Sequence, residues 1–97
     1  MEQYQITENN ITYDIIKYSF GVKEWRVQGL LHRDGGPAIE YYDGSKYWYK
    51  NDMCHRDDGP AIELNNGIKE YWYNGKLLKN INSDEELKRY RRLLSIS

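Results

Sequence analysis

Side chains of a β-strand alternate between two faces, and short segments of this chain have the apolar and polar composition of such strands. Residues 38–42 and residues 45–50 are rich in Ile, Tyr and Trp, and the pair Asp43-Gly44 separates them. Asp-Gly is a preferred pair for a two-residue type I′ turn. The sequence therefore predicts a β-hairpin here, and a second turn at Asn51-Asp52 closes the unit.

The hairpin belongs to a repeat of 23 residues. Residues 32–40 and 55–63 read His-Arg-Asp-Gly-Gly-Pro-Ala-Ile-Glu and His-Arg-Asp-Asp-Gly-Pro-Ala-Ile-Glu, so they differ at a single position. Other columns recur in three copies, namely Gly21, Gly44 and Gly67; Lys23, Lys46 and Lys69; Trp25, Trp48 and Tyr71; and Ile16, Ile39 and Ile62. A fixed period indicates stacked structural units with atypical units at the ends. We therefore expect β-hairpin repeats over residues 9–79, within one domain that spans residues 1–97. The corresponding first turns of the other two units are Ser19-Phe20-Gly21 and Asn66-Gly67, and their second turns are Gln28-Gly29 and Asn74-Gly75.

The alternation also assigns side chains to the two faces of the predicted sheet. In the simplest register, the core face collects Ile16, Tyr18, Ile39, Tyr41, Ile62 and Leu64 with Trp25, Trp48 and Tyr71. The opposite face collects Lys17, Glu40 and Glu63 with Tyr42, Tyr47, Tyr49 and Trp72. Because a shift of one residue moves every side chain of a strand to the other face, this assignment depends on the geometry of the turns.

The C-terminal segment has the period of a helix. Ser83 begins a Ser-x-x-Glu capping box, and Leu87, Tyr90 and Leu94 then fall on one helical face. Acidic residues precede basic residues along this segment, an order that suits the helix dipole. We expect a helix over residues 83–95 that packs over the last hairpin and covers its edge.

The N-terminal end of the predicted sheet has no such cover. The hairpin near residues 13–20 would leave one strand edge with unpaired backbone groups. Uncovered edges invite pairing with another strand, and a two-fold axis satisfies both copies at once. The sequence therefore raises the hypothesis of a homodimer through the N-terminal edge.

The repeat resembles a known family. Residues 41–52 and 64–75 are similar to the membrane occupation and recognition nexus (MORN) repeat, which has the same 23-residue period. The His-Arg-x-x-Gly-Pro-Ala segment resembles a MORN-like variant found in proteins of bacteriophages, giant viruses and some bacteria. This resemblance implies a mainly β fold, namely a single-layer curved antiparallel sheet of about three 23-residue hairpins with a C-terminal capping helix. It also implies a binding or scaffolding role, and related repeats occur in bacterial immunity-type antitoxins.

Composition and charge narrow the classes of partner and compartment. The chain has 14 basic and 15 acidic side chains, so no overall field attracts nucleic acid or an anionic membrane. No apolar run is long enough to span a membrane. The single cysteine cannot form an internal disulfide, which fits the cytoplasm, or the host cytoplasm if the protein is encoded by a phage. The ten tyrosines and three tryptophans suit a thin aromatic core or an interface.

Candidate catalytic residues have simpler structural interpretations. His32 and His55 with their following aspartates suggest metal ligands or a general base, yet Asp, Gly and Pro copied in each interior unit are what a repeated turn needs. Cys54 occupies a column that holds Leu31 and Leu77 in the other units, so a buried side chain is favoured. We therefore expect no enzyme activity, no metal and no cofactor.

The residues favour a non-enzymatic protein that binds another macromolecule, with a protein as the expected partner. Tyr and Trp beside Arg are the usual composition of an interaction hot spot. The candidate contact residues are Tyr42, Tyr47, Tyr49, Trp72, Arg33 and Arg56. The most concrete version is a small phage or bacterial accessory protein that inhibits a host defence protein by covering its surface. The alternatives are a module that sequesters a nucleotide or other small ligand, an immunity-type antitoxin, and a hydrolase that uses His32 or His55.

Overall fold

The computed structural model describes residues 1–95. Within these residues it contains twelve strands and one C-terminal helix, which turns and loops connect. The strands are β1 (Glu2–Glu8), β2 (Ile11–Lys17), β3 (Val22–Val27), β4 (Leu30–Leu31), β5 (Ile39–Tyr41), β6 (Lys46–Tyr47), β7 (Tyr49–Lys50), β8 (Met53–Cys54), β9 (Ile62–Glu63), β10 (Lys69–Glu70), β11 (Trp72–Tyr73) and β12 (Lys76–Leu77). The helix α1 is Asp84–Ser95. The predicted mainly β fold is confirmed.

The main sheet is antiparallel and open. Its strand order is β1-β2-β3-β5-β6-β9-β10, and β4 pairs with the end of β3. The pairs β7–β8 and β11–β12 form two further hairpins. Backbone bonds join successive hairpins, since Asp52 N–H donates to the Leu31 carbonyl and Gly75 N–H to the Cys54 carbonyl, both at 2.9 Å. The described chain measures 42 × 32 × 18 Å, so the predicted thin sheet of hairpins is confirmed.

The first turn of each repeat has three residues, as expected for Ser19-Phe20-Gly21, whereas two residues were expected at Asp43-Gly44 and Asn66-Gly67. These turns are closed by N–H to carbonyl bonds from Tyr18 to Val22, Tyr41 to Ser45 and Leu64 to Ile68, at 2.8, 3.0 and 2.9 Å. Among the central residues of these turns, only the glycine has a positive φ, for example 92° at Gly44. A type I′ turn needs a positive φ at both central residues, so that prediction is wrong for Asp43-Gly44 and Asn66-Gly67.

The type I′ geometry occurs instead at the second turn of each repeat. Asn51 and Asp52 have φ values of 50° and 66°. Both residues of Gln28-Gly29 and of Asn74-Gly75 also have a positive φ. The positions of these second turns are therefore confirmed. The same geometry at Asn9-Asn10 joins β1 to β2.

The first core cluster lies on the face of the sheet that carries Trp25. Tyr13, Ile15, Trp25 and Ala38 are buried together there. Ile15 lies directly opposite Trp25 on the neighbouring strand, and the rings of Tyr13 and Trp25 meet edge to face with centroids 5.4 Å apart. The expected burial of Trp25 is confirmed, but most of its buried neighbours differ from those that the simplest register predicts.

The isoleucine column lies on the opposite face from Trp25, and the predicted core face is wrong in this respect. Glu24 lies opposite Ile16 on one neighbouring strand and opposite Ile39 on the other. Because side chains alternate along a strand, these isoleucines point away from the side that carries Trp25. The physical reason is the turn, since one extra loop residue shifts the register and exchanges the faces.

The first residues form a strand that the sequence pattern did not predict. Strand β1 pairs with β2 from Glu2 opposite Lys17 to Glu8 opposite Ile11. The edge near residues 13–20 is therefore covered, and the expected open edge is wrong in position. Strand β1 itself is the first edge of the sheet.

Helix α1 begins directly after its predicted cap. The N–H of Glu86 donates to Ser83 Oγ at 3.2 Å, and the N–H of Leu87 donates to the Ser83 carbonyl at 3.1 Å. Leu87 is fully buried with Tyr71 and Leu78 in a second core cluster. The predicted helix and its packing on the last hairpin are confirmed.

Candidate functional site

The His-Arg-Asp loop ties each repeat to the next. His55 Nδ1 accepts a hydrogen bond from the backbone N–H of Asn74 at 2.8 Å. Because a backbone N–H can only donate, the ring proton lies on Nε2, which donates to Asp57 at 2.8 Å. The earlier copy repeats both contacts, with His32 between Asn51 and Asp34. Structural hydrogen bonds therefore occupy both ring nitrogens of each histidine.

The arginine of each loop lies over a tryptophan ring. The Arg56 Cζ is 3.9 Å from the ring centroid of Trp48, and its Nε donates to Asp58 at 2.9 Å. Gly59 leaves room for this arrangement, because a Cβ there would lie 2.8 Å from the Arg56 Cζ. Arg33 stacks in the same way in the preceding copy, at 3.5 Å. Contacts within the chain therefore hold both arginines.

A cleft of about 270 Å³ lies between the two copies of this loop. Arg33, Arg56 and Trp48 line it, so two guanidinium groups and an aromatic ring, the residue types that can hold a phosphate and stack on a base, lie in one cleft. Lys50 adds a third cation, and Asp34, Asp57 and Asp58 add three carboxylates. With neutral histidine the charges of the lining balance, so the cleft has no net attraction for an anion.

The Asp57 carboxylate is the centre of the ion pairs in this cleft. His55 Nε2 lies 2.8 Å away, Lys50 Nζ 3.5 Å and Arg91 Nε 3.8 Å. Burial alone would raise the pKa of Asp57, but the hydrogen bond from His55 and the charges of Lys50 and Arg91 hold that pKa below its ordinary value. Arg91 belongs to α1, so the network also joins the helix to the repeats.

Cys54 is buried at the end of β8, as the column pattern predicts. Burial raises the pKa of Cys54 to about 12, so the thiol stays protonated at neutral pH and is a poor nucleophile. Over residues 1–95, no cluster of three or more His, Cys, Asp and Glu side chains is placed to hold a metal ion. Within the same residues, the structure contains no helix of the length and apolarity needed to cross a membrane.

The opposite face of the sheet carries apolar residues that belong to neither core cluster. One row crosses six strands and consists of Ile16, Glu24, Ile39, Tyr47, Ile62 and Glu70. A second row lies nearer to the three-residue turns and consists of Tyr18, Val22, Tyr41, Ser45, Leu64 and Ile68. We call these two rows the isoleucine face.

A groove of about 380 Å³ lies on the isoleucine face between two neighbouring turns. Tyr41, Tyr47 and Leu64 line it, and Asp43 lies in the turn beside it. The rings of Tyr41 and Tyr47 are 5.4 Å apart at a tilt of 59°. Desolvation by burial raises the pKa of Tyr47. Its hydroxyl can both donate and accept hydrogen bonds. Aromatic walls with a few polar groups suit an apolar side chain of a partner.

The predicted contact residues do not form one surface. Tyr47 lies on the isoleucine face, and Tyr42 is exposed at the turn that follows β5. Tyr49 packs against the first core cluster, and Trp72 Nε1 donates to Glu70 at 3.0 Å. The two predicted arginines lie in the cleft on the other side of the sheet.

The sequence contained a signal for the isoleucine face in its charges. With three-residue turns, Glu40 lies opposite Lys46 and Glu63 lies opposite Lys69. Opposite charges in direct cross-strand positions stabilise a sheet, and the two-residue turn would separate these pairs. The charge pattern therefore favours the register that places the isoleucines with Tyr47.

Comparison with known proteins assigns no family to the chain. No protein-family model matches it, and neither a curated protein nor a solved structure does so. The likeness to MORN repeats stays a prediction from the motifs.

Proposed function

We propose that the protein is a non-enzymatic module that binds a protein partner through the isoleucine face. The observation that carries this proposal is the run of Ile39, Tyr47 and Ile62 on three neighbouring strands, outside both core clusters. Contiguous apolar surface on a folded domain marks interaction sites more often than single exposed residues do. The adjacent groove offers a pocket for one anchoring side chain of the partner.

The charges of the isoleucine face favour a protein over a nucleic acid. Glu24 and Glu70 lie in its central row, and it carries no lysine or arginine in either row. Nucleic-acid binding depends on basic residues that neutralise phosphates, and carboxylates oppose it. Glu24 is already paired with Arg26 at 3.0 Å, and Glu70 accepts a hydrogen bond from Trp72 Nε1 at 3.0 Å, so the partner surface that fits is an apolar ridge.

The proposed mechanism is occlusion in the cytoplasm. A preformed sheet loses little conformational entropy on binding, so a small protein can cover a functional surface efficiently. The resemblance to phage and bacterial repeats supports an accessory protein that inhibits a host defence protein in this way. An immunity-type antitoxin would use the same mechanism against a toxin.

Matched surface variants test this proposal. Tyr41→Lys/Ile68→Lys changes two side chains of the isoleucine face that are 38 % and 50 % exposed. Leu30→Lys/Met53→Lys changes two side chains elsewhere that are 41 % and 42 % exposed. In capture from a bacterial host lysate, we expect the wild type and the second variant to retain one stoichiometric partner and the first variant to lose it. Equal capture by both variants, or no stoichiometric partner at all, would contradict the proposal.

The cleft supports a second candidate, the sequestering of a nucleotide. The supporting observation is that Arg33, Arg56 and Trp48 line one cleft, where a base could stack on the Arg56 guanidinium that covers Trp48 and a phosphate could bind Arg33. A ligand that binds only the folded state raises the melting temperature. Melting temperatures that do not change across a panel of nucleotides would exclude this candidate.

A further inference from the structure

We propose that two copies of the chain pair through strand β1 to form an antiparallel dimer. Strand β1 is the first strand of the main sheet, and within residues 1–95 it pairs with β2 alone. It is seven residues long, whereas a typical strand has about five or six. An uncovered edge of this length presents a row of backbone donors and acceptors to another strand.

The hairpin register determines which backbone groups of β1 are free. The two-residue turn at Asn9-Asn10 closes on a hydrogen-bonded pair, which is Glu8 with Ile11. Because hydrogen-bonded and non-bonded pairs alternate, every second residue back from Glu8 bonds to β2. The backbone groups of Gln3, Gln5 and Thr7 therefore point away from β2 into solvent.

Strand β1 also lacks the features that usually block edge pairing. Its sequence contains no proline and no lysine, and its register with β2 is continuous without a bulge. The opposite edge of the sheet differs, because β10 is only two residues long and includes Lys69. Of the two edges of the main sheet, β1 is the one suited to pairing.

A two-fold axis at Gln5 pairs all the backbone N–H and carbonyl groups of β1 that point away from β2. Gln5 then lies opposite Gln5 of the partner subunit, and Gln3 opposite Thr7 of the partner subunit, with about six main-chain hydrogen bonds. Tyr4 meets Ile6 of the partner subunit, which is a favourable aromatic and β-branched pair. Glu2 meets Glu8 of the partner subunit, and the Glu8 carboxylate is already paired with Arg33 at 3.2 Å, which reduces the repulsion.

The expected dimer is weak but has a defined geometry. One strand on each side buries less than the roughly 800 Å² per partner of a standard interface, so we expect an affinity in the micromolar range. Antiparallel edge pairing requires an axis perpendicular to the sheet, which leaves both isoleucine faces on the same side. If these faces bind a protein, as proposed above, the dimer presents two binding surfaces at once. The pairing itself does not depend on that proposal.

The test compares Gln5→Pro with Gln5→Ala by sedimentation velocity over increasing protein concentration. Both variants lose the same side chain, but only proline removes the outward N–H, and proline is tolerated on an edge where the N–H faces solvent. We expect the wild type and Gln5→Ala to form dimers and Gln5→Pro to remain monomeric with folded circular dichroism. A monomeric wild type at millimolar concentration, or equal dimerisation of the two variants, would overturn the proposal.

Two further variants serve as controls for the dimerisation test. Gln5→Lys places two like charges at the axis without altering the backbone, so it should weaken the dimer at least about tenfold if Gln5→Pro fails to fold. Undiminished association of Gln5→Lys would then count against the pairing. The isoleucine-face variant Tyr41→Lys/Ile68→Lys should dimerise as the wild type does, so loss of partner binding and loss of the dimer are separable.

Discussion

Gly59, Arg56 and Trp48 form one packing unit in the repeated loop. The guanidinium lies over the indole only because no Cβ is present at Gly59 to displace it. The preceding copy has the same constraint, since a Cβ at Gly36 would lie 2.9 Å from the Arg33 Cζ. The recurrence of His-Arg-x-x-Gly-Pro in the sequence is therefore explained by contacts within the fold.

Gly59→Ala should destabilise the protein by about 1 kcal/mol, because the methyl group forces Arg56 off the ring of Trp48. Gly35→Ala is the matched control in the other loop, since a Cβ there meets nothing within 4 Å. Its effect should stay within about 0.5 kcal/mol. Urea denaturation measures the free energy of unfolding of both variants. Similar decreases in the two would contradict the packing role of Gly59.

The Asp57 network predicts a loss of stability in acid. The pKa of Asp57 is held below its ordinary value of 3.8 in the folded state, because the bond from His55 and nearby cations outweigh the opposing effect of burial. A lowered pKa contributes stability above the unfolded value, and this stability is lost as the pH falls through the folded value. Asp57→Asn should therefore destabilise at pH 7, and the difference from wild type should shrink below pH 3.8. Chemical denaturation of the wild type and the variant at pH 7 and at a pH below 3.8 measures this difference in stability, with a variant of the exposed Asp14, Asp14→Asn, as control.

The sequence predicts the presence of the hairpins but not the register of their strands. Alternation and the recurrent glycines predict the hairpins, and the capping box at Ser83 predicts the helix, because these are local signals. The pair Asp43-Gly44 fits a two-residue turn as well as the last two positions of a three-residue turn, so local sequence alone does not select the register. The isoleucine face was missed for that reason.

Strand β1 was missed for a different reason. It carries Gln, Thr and Glu among few apolar residues, and Tyr4 is itself exposed. Its formation depends on pairing with β2 and on contacts such as Ile6 against the first core cluster. Tertiary contacts of this kind override weak local preference.

The docking of α1 on the last hairpin should depend on Leu87. Leu87→Ala should cost about 2–4 kcal/mol, because it opens a cavity beside Tyr71 and Leu78. Leu93→Ala removes the same atoms from an exposed position of the same helix and should cost little. Thermal unfolding distinguishes the two, and equal melting temperatures would contradict the described packing.

At the scale of the whole molecule, the sheet has two unequal faces. One face is covered by the repeated loops and carries the core cluster around Trp25, and the other carries the isoleucine column and Tyr47. This division explains the aromatic-rich composition without a deep aliphatic core. It also leaves the isoleucine face as the surface that we propose for a partner, and Tyr47 is the predicted contact residue that lies in its central row.

Isoleucine methyl NMR tests directly whether the isoleucine face is the binding surface. The captured partner is added to protein that carries labelled isoleucine methyl groups. We expect the signals of Ile39 and Ile62 to shift or broaden, while the signal of Ile15 in the core stays in place. Unchanged signals of Ile39 and Ile62 in the presence of a bound partner would rule out binding through the isoleucine face.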